Sequence, residues 1–447
     1  MDFLCALRAS VVKLALADSK ENLLAIAQRW HDIRTGFERP FWVANISELF
    51  ERLSYYAVFA SLARYLHEVL NFPTQQTGTL TGFFGGLVWF LPVFGGTLAD
   101  KMGFRKALAL AYLILSCAYF LLGSLGSAWL APVRETVPLG VLVAFVLALP
   151  AFGVALVKPT VVGTTAHSSR EDVRSFGYSI YYTLVNIGGA AGPYVASYVH
   201  QRMRVENVFR VAALSVFVMF IGVLIFFKEP NRDRDTQTPT MAQAGRNFLT
   251  VLSNPRFMLF LAIFTGYWIV YWQEFLTLPL YVHNYINPAI DTELLLMTGP
   301  LVVIALTVVI TLLMQKVAPL MAITTGTLIS AVGWIFLILM PSGLGAVLTL
   351  VAVALGEIVM SPRYYDYVSR LAPEGQQGTY MGFAFLPLGI GSLIGGAFGG
   401  FLIHYFGEVK HEPAGMWWII IAVGVTTAAL LWVYDRVMMP RAAEQAR

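Results

Sequence analysis

The stretch Ile46-Ser-Glu48-Leu-Phe-Glu51-Arg52-Leu-Ser-Tyr55-Tyr56 lies inside the first long apolar run of the chain. It places three charges where a membrane helix tolerates them least, at roughly 2.5–3.5 kcal/mol per residue on insertion scales. An ionisable group at membrane depth is a functional candidate by default. Glu48 and Arg52 stand four residues apart, so they share a helical face and are expected to pair. A static salt bridge that only orients the helix is the plainer alternative.

The rest of the chain supports membrane depth. Hydrophobic residues make up 57% of the 447 and charged residues 13%, too little charge to cover a soluble surface of that size. Apolar runs of about 20 residues, each long enough to cross a bilayer, recur from Phe41 to Val437. A β-barrel would instead show short alternating segments. The expected fold class is an all-α polytopic membrane protein with about twelve transmembrane helices. The net charge of +4 comes from loop residues and implies no nucleic-acid partner. Cys5 and Cys117 are far apart and the histidines scattered, so neither a disulfide framework nor a metal site is expected. No nucleophile elbow or phosphate loop is visible; the reading is not an enzyme, with no cofactor.

Five segments organise the chain. Residues 1–40 read as an amphipathic extension on the membrane surface, without the pattern of a cleavable signal peptide. Residues 41–227 hold six spans, 228–255 form a polar linker beginning Lys228-Glu-Pro-Asn-Arg, 256–437 hold six more spans, and 438–447 form a tail. Within the linker, 241–253 has the pattern of a short surface helix. Lys101, Arg105, Lys106, Arg170, Arg174, Lys228, Arg232 and Arg234 fall on one side, against Arg134, Arg202, Arg204 and Lys410 on the other. The positive-inside rule then puts both termini and the linker in the cytoplasm of a multi-pass inner-membrane protein.

Two six-helix bundles joined by a cytoplasmic linker is the layout of the major facilitator superfamily, whose substrate site lies between the halves near the midplane. The loop Gly95-Gly-Thr-Leu-Ala-Asp100-Lys-Met-Gly103-Phe-Arg105-Lys106 resembles the signature loop of that superfamily. The resemblance implies a conformational role for Asp100, Arg105 and Lys106, although the two basic residues could serve topology alone.

Within that layout, Glu48-Leu-Phe-Glu51-Arg52-Leu-Ser-Tyr55-Tyr56 resembles the Glu-x-x-Glu-Arg-Phe-x-Tyr-Tyr-Gly signature of the proton-coupled oligopeptide transporter family. Three further stretches resemble its motifs in the same order: Lys158-Pro159, Phe176 to Gly188 with Tyr181, Tyr182 and Asn186, and Gly356-Glu357-Ile-Val-Met-Ser361-Pro362. The resemblance implies a proton-coupling network of Glu48, Glu51, Arg52 and Lys158. It also implies a substrate site of Tyr55, Tyr56, Lys158, Tyr181, Asn186, Gln273 and Glu357. The chemistry of such groups agrees. Opening to water on either side alters desolvation and charge pairing, so proton binding can bias which side is open.

Plainer roles stand beside these. Lys158 can snorkel to the headgroups, the tyrosines can be packing aromatics, and Asn186 can bridge helices. Glu274, next to Gln273, is a further buried carboxylate candidate that can instead face a neighbouring helix. His67, His200, His283 and His404 read as interfacial polar residues.

The chain also departs from that family. Tyr55-Tyr56 is followed by Ala57-Val58-Phe59 where the family carries an arginine, and Trp272 stands at an acidic family position. Gly299-Pro300 replaces an asparagine-proline pair, and the linker is too short for an extra helix pair. The expected activity is therefore proton symport, by alternating access, of a peptide-like or amino-acid-derived small polar solute. The expected partners are that solute, protons and membrane lipid, with the protein a monomer. Two alternatives remain open. One is a proton-driven exporter of amphipathic compounds, suggested by Gly188-Gly189-Ala-Ala-Gly192-Pro193 and by Trp268, Trp272 and Trp334. The other is a non-transporting membrane subunit that binds a partner.

Overall fold

The computed structural model describes residues 35–92, 98–99, 101–230, 249–314, 316–373 and 377–445. The expectations for the amphipathic extension up to residue 34, for Asp100 and for most of the linker lie outside the described residues. Within them the chain is helical, with one isolated bridge between Phe37 and Ser169.

Six long helices form the first half: α1 (Arg39–Arg64), α2 (Thr74–Phe90), α3 (Phe104–Leu122), α4 (Leu139–His167), α5 (Arg174–Arg202) and α6 (Glu206–Phe226). The second half has α7 (Pro255–Tyr271), α8 (Thr298–Met314), α9 (Pro319–Gly333), α10 (Gly343–Leu371), α11 (Leu386–Leu402) and α12 (Gly415–Gln445). Among the described residues nine helical segments are long and apolar enough to cross a membrane by length and composition. The others are α1 with its internal charges, the 17-residue α2, and α5 with its tyrosines, serines and glycines.

Local chemistry sets the helix ends. Asn254 caps α7 by accepting from the Phe257 N–H at 3.1 Å, with Pro255 in the first turn. Ser342 caps α10 through the Gly345 N–H. Gly103 has φ +86°, a conformation that L side chains rarely adopt, and lets the chain turn sharply into α3. The freed N–H groups of Phe104 and Arg105 donate to the Glu229 carboxylate at 2.7 and 2.8 Å. The loop resembling the superfamily signature is thus tied to the chain just after α6, a carboxylate at a helix N-terminus.

The halves meet along α2 and α11. A Cβ on Gly82 would stand 2.7 Å from the Gly396 Cα, and one on Gly78 would stand 2.8 Å from the Gly400 Cα. Only glycine permits this backbone contact, the packing mode of membrane helices that lack a hydrophobic drive between them. Likewise Gly188 and Gly192 bring α5 against α1, where added Cβ atoms would meet the Arg52 Cβ at 2.8 Å and the Tyr56 Cβ at 2.9 Å. The glycines of Gly188-Gly189-Ala-Ala-Gly192 therefore seat the charged helix.

Candidate functional site: charged α1 and the cavity between the halves

Helix α1 buries its charges completely: Glu48 and Glu51 are 0% exposed and Arg52 2%. The strongest contact is between sequence neighbours. Arg52 Nη2 donates to Glu51 Oε1 at 2.7 Å and Nε to Oε2 at 2.5 Å, a bidentate pair. Glu48 Oε1 lies 3.5 Å from Arg52 Nε, within ion-pair range, but neither Glu48 oxygen has a hydrogen-bond partner among the described residues. The expected i to i+4 pair exists as the looser of two contacts. The Arg52 guanidinium also lies over the Tyr55 ring at 4.8 Å.

Lys158 approaches from α4, one residue before Pro159, which has no N–H and interrupts the helix ladder. Its Nζ sits 3.7 Å from the centre of the Trp89 ring, a cation–π contact. No ion pair joins it to Glu48 or Glu51 among the described residues. Sequence reasoning places all four charges in one network; the structure pairs three and holds the lysine on an aromatic face.

Between the halves lies a cavity with about 60 Å³ of space, lined by Tyr56, Val185, Asn186 and Gly189 from the first half. From the second come Tyr271, Glu274, Phe275, Gly299, Pro300, Val303, Ala354 and Glu357. The Tyr271 hydroxyl donates to Glu357 Oε2 at 3.2 Å. Asn186 lines the cavity while its amide donates to the Tyr182 carbonyl at 2.7 Å. The expected residues Tyr56, Asn186 and Glu357 thus converge. Tyr55 does not line the cavity; it is buried among Tyr56, Phe59 and Phe84, and its hydroxyl has no partner. Tyr181 packs against the apolar core.

Gln273 does not line this cavity. It is fully buried, donates to the Ile269 and Gly395 carbonyls at 2.8 and 3.1 Å, and accepts from Thr277. An amide interrupting α7 spends its hydrogen bonds fastening that helix to α11. Its neighbour Glu274 takes the place on the cavity wall. The α7 helix breaks at Trp272, which turns the next residues to new directions.

Aromatic rings meet near the two positions, after Tyr56 and at Trp272, where the chain departs from the family motifs. Phe59 and Trp272 meet edge to face at 5.8 Å, and Phe59 stacks on Phe275 at 5.1 Å. Polar contacts join the halves at the Arg64 end of α1. Arg64 Nη1 lies 3.5 Å from Glu293 Oε2, His200 Nδ1 2.8 Å from Glu293 Oε1, and Ser197 and Gln201 donate to Asp291 at 2.6 and 2.7 Å. Sequence reasoning missed Arg64, Asp291 and Glu293. Its available signal was Asp291, whose side chain accepts from the Leu294 N–H and starts the short helix Thr292–Leu296. Of the signature-loop residues, Arg105 reaches the Leu224 carbonyl while Lys106 stands exposed.

A family model described as Major Facilitator Superfamily matches residues 44–392. The chain belongs to the major facilitator superfamily. It is 25% identical over 271 residues to a "Di-/tripeptide transporter" of Lactococcus lactis subsp. cremoris, covering 57% of this chain and 50% of the relative. The chain spans about half the length of that relative. It is 23% identical to "Multidrug resistance protein MdtH" of Cronobacter sakazakii over 85% of this chain and 90% of that protein. Among solved structures, a POT family transporter in complex with 5-aminolevulinic acid shares the fold, with TM-score 0.71, 17% identity and coverage of 89% of this chain and 96% of that one.

Proposed function

We propose that this chain is a divergent member of the proton-coupled oligopeptide transporter family, a symporter of a small polar solute working by alternating access. The observation that carries the reading is the pairing of a buried Glu48–Glu51–Arg52 cluster in one half with a cavity between the halves that Glu357 lines. Protonation of the cluster would bias the halves, 41–227 and 256–437, between two arrangements, with roughly 1–3 kcal/mol of coupling to solute binding. The face carrying the termini is cytoplasmic in this reading and the membrane is the inner one. The protein acts as a monomer among lipid, and the Arg64–Glu293 contact closes the outer side.

The test is uptake into proteoliposomes under an imposed pH gradient. Gradient-driven accumulation of a peptide or amino-acid-derived solute is expected, abolished by Glu51→Gln and Lys158→Ala. Full accumulation by both variants would overturn the coupling assignment. Proton-driven export is the second reading, favoured by the near full-length likeness to the multidrug resistance protein; movement of solute against the proton flux in the same vesicles would establish it. A partner-binding subunit would show no flux in either direction.

A further inference from the structure

Glu274 and Glu357 present two carboxylates to one small cavity, from the short helical turn Gln273–Leu276 after α7 and from α10, and no lysine or arginine pairs with either among the described residues. The cations of α1 and α4 are engaged elsewhere: Arg52 by Glu51 and Glu48, Lys158 by Trp89. Glu274 is only 5% exposed yet lines the space, and a Cβ at Gly299 would stand 3.8 Å from its Oε2, so glycine leaves that flank of the carboxylate open. The remaining wall supplies the Tyr56 and Tyr271 rings. Buried carboxylates call for compensating charge, and aromatic faces favour organic ammonium groups over hydrated metal ions.

We propose that the transported solute is an organic dication, a compound with two primary or substituted amines, with one ammonium held by Glu357 and the second by Glu274. This rests on the transport reading above and names its substrate class. Glu357 with the Tyr271 hydroxyl forms one ammonium site and Glu274 the other, making Glu274 the residue that selects two charges over one. A zwitterion fits poorly, because its carboxylate would face two carboxylates with no free cation on this wall.

The experiment measures binding of diaminobutane and diaminohexane, against aminobutane and aminobutanoate, to the purified full chain by ligand-induced thermal stabilisation near neutral pH. At least one diamine is expected to bind roughly tenfold more tightly than aminobutane. Glu274→Gln should bring that ratio close to one; Glu274→Asp should largely preserve the ratio, and Glu357→Gln should weaken every amine. Equal affinity of wild type for diamines and aminobutane overturns the proposal, as does tighter binding of aminobutanoate or failure of every amine to bind. The wild-type ratio decides even where a variant does not fold. Gradient-driven uptake of a neutral or zwitterionic solute without diamine preference sinks this inference alone. Diamine binding without any gradient-driven flux leaves it standing and sinks the symport reading.

Discussion

In α1 of the first half, two carboxylates are buried beside an arginine that clasps one with two hydrogen bonds and lies within ion-pair reach of the other. In the second half, two carboxylates, one just after α7 and one on α10, line a cavity with no arginine or lysine beside them among the described residues. Both pairs sit within the helical bundle away from bulk water, so the difference lies in compensation. A buried charge costs several kcal/mol unless it is paired. The first cluster meets much of that cost internally, through the Arg52 guanidinium. The second leaves it unmet, which suits a site whose missing charge arrives from solution.

The largest expected effect attacks the compensated cluster. Arg52→Ala would leave Glu51 and Glu48 buried without a cation and should destabilise the protein by about 3–5 kcal/mol. Arg52→Lys, which keeps the charge but not the fork, should lose part of that. Thermal melts in detergent measure both. An Arg52→Ala protein that melts with the wild type would mean the cluster is not internally compensated.

The seam between the halves provides an uncharged control. Gly82→Ala would force a Cβ to within 2.6 Å of the Ser392 carbonyl oxygen and 2.7 Å of the Gly396 Cα. Overpacking of this kind costs about 1–3 kcal/mol. The loss should be independent of pH, unlike the loss from Arg52→Ala, and the same melts across pH check it.

At the cavity the comparison predicts the opposite sign. Glu357→Gln replaces an uncompensated carboxylate by a neutral amide that can still accept from Tyr271. It should raise stability by on the order of 1 kcal/mol while abolishing solute accumulation. A lower melting temperature for Glu357→Gln would show that a partner already balances this carboxylate, and the contrast between the halves would fail.

The helical count and the buried charges of α1 were legible in the sequence, because long apolar runs are unambiguous and charge inside them stands out; the cavity residues Tyr56, Asn186 and Glu357 were reached through the motifs that resemble the oligopeptide transporter family. Gln273 and Glu274 were not separable, since adjacent residues point about 100° apart on a helix and the break at Trp272 decides which one meets the cavity. The placement of Lys158 over Trp89 was hidden for a related reason. Charge pairing can be guessed from spacing along one helix, but the partner of a side chain that crosses to another helix depends on packing. Glu229 was hidden too, being one acidic residue in a charged linker until the turn at Gly103 brings two N–H groups to it.

The smallest effect concerns the contact at the Arg64 end of α1, a third treatment of carboxylates in which the two halves share the compensation. Burial pushes the Asp291 carboxyl up, but hydrogen bonds from Ser197, the Leu294 N–H and Gln201 outweigh it and hold the group below the usual carboxylate range. A depressed value in the folded protein means that the stabilisation is fully present above the unfolded value of about 3.9 and is lost as pH falls through the folded one. Asp291→Asn keeps a good helix cap and removes only the charge, so it should cost less than about 1 kcal/mol at neutral pH. The gap between the melting curves of wild type and Asp291→Asn should stay constant above about pH 5 and close as the medium is acidified below the ordinary carboxylate range. A gap that instead widens on acidification would mean that Asp291 is strained rather than stabilised where the halves touch, and that this contact is held by Glu293 with Arg64 and His200 alone.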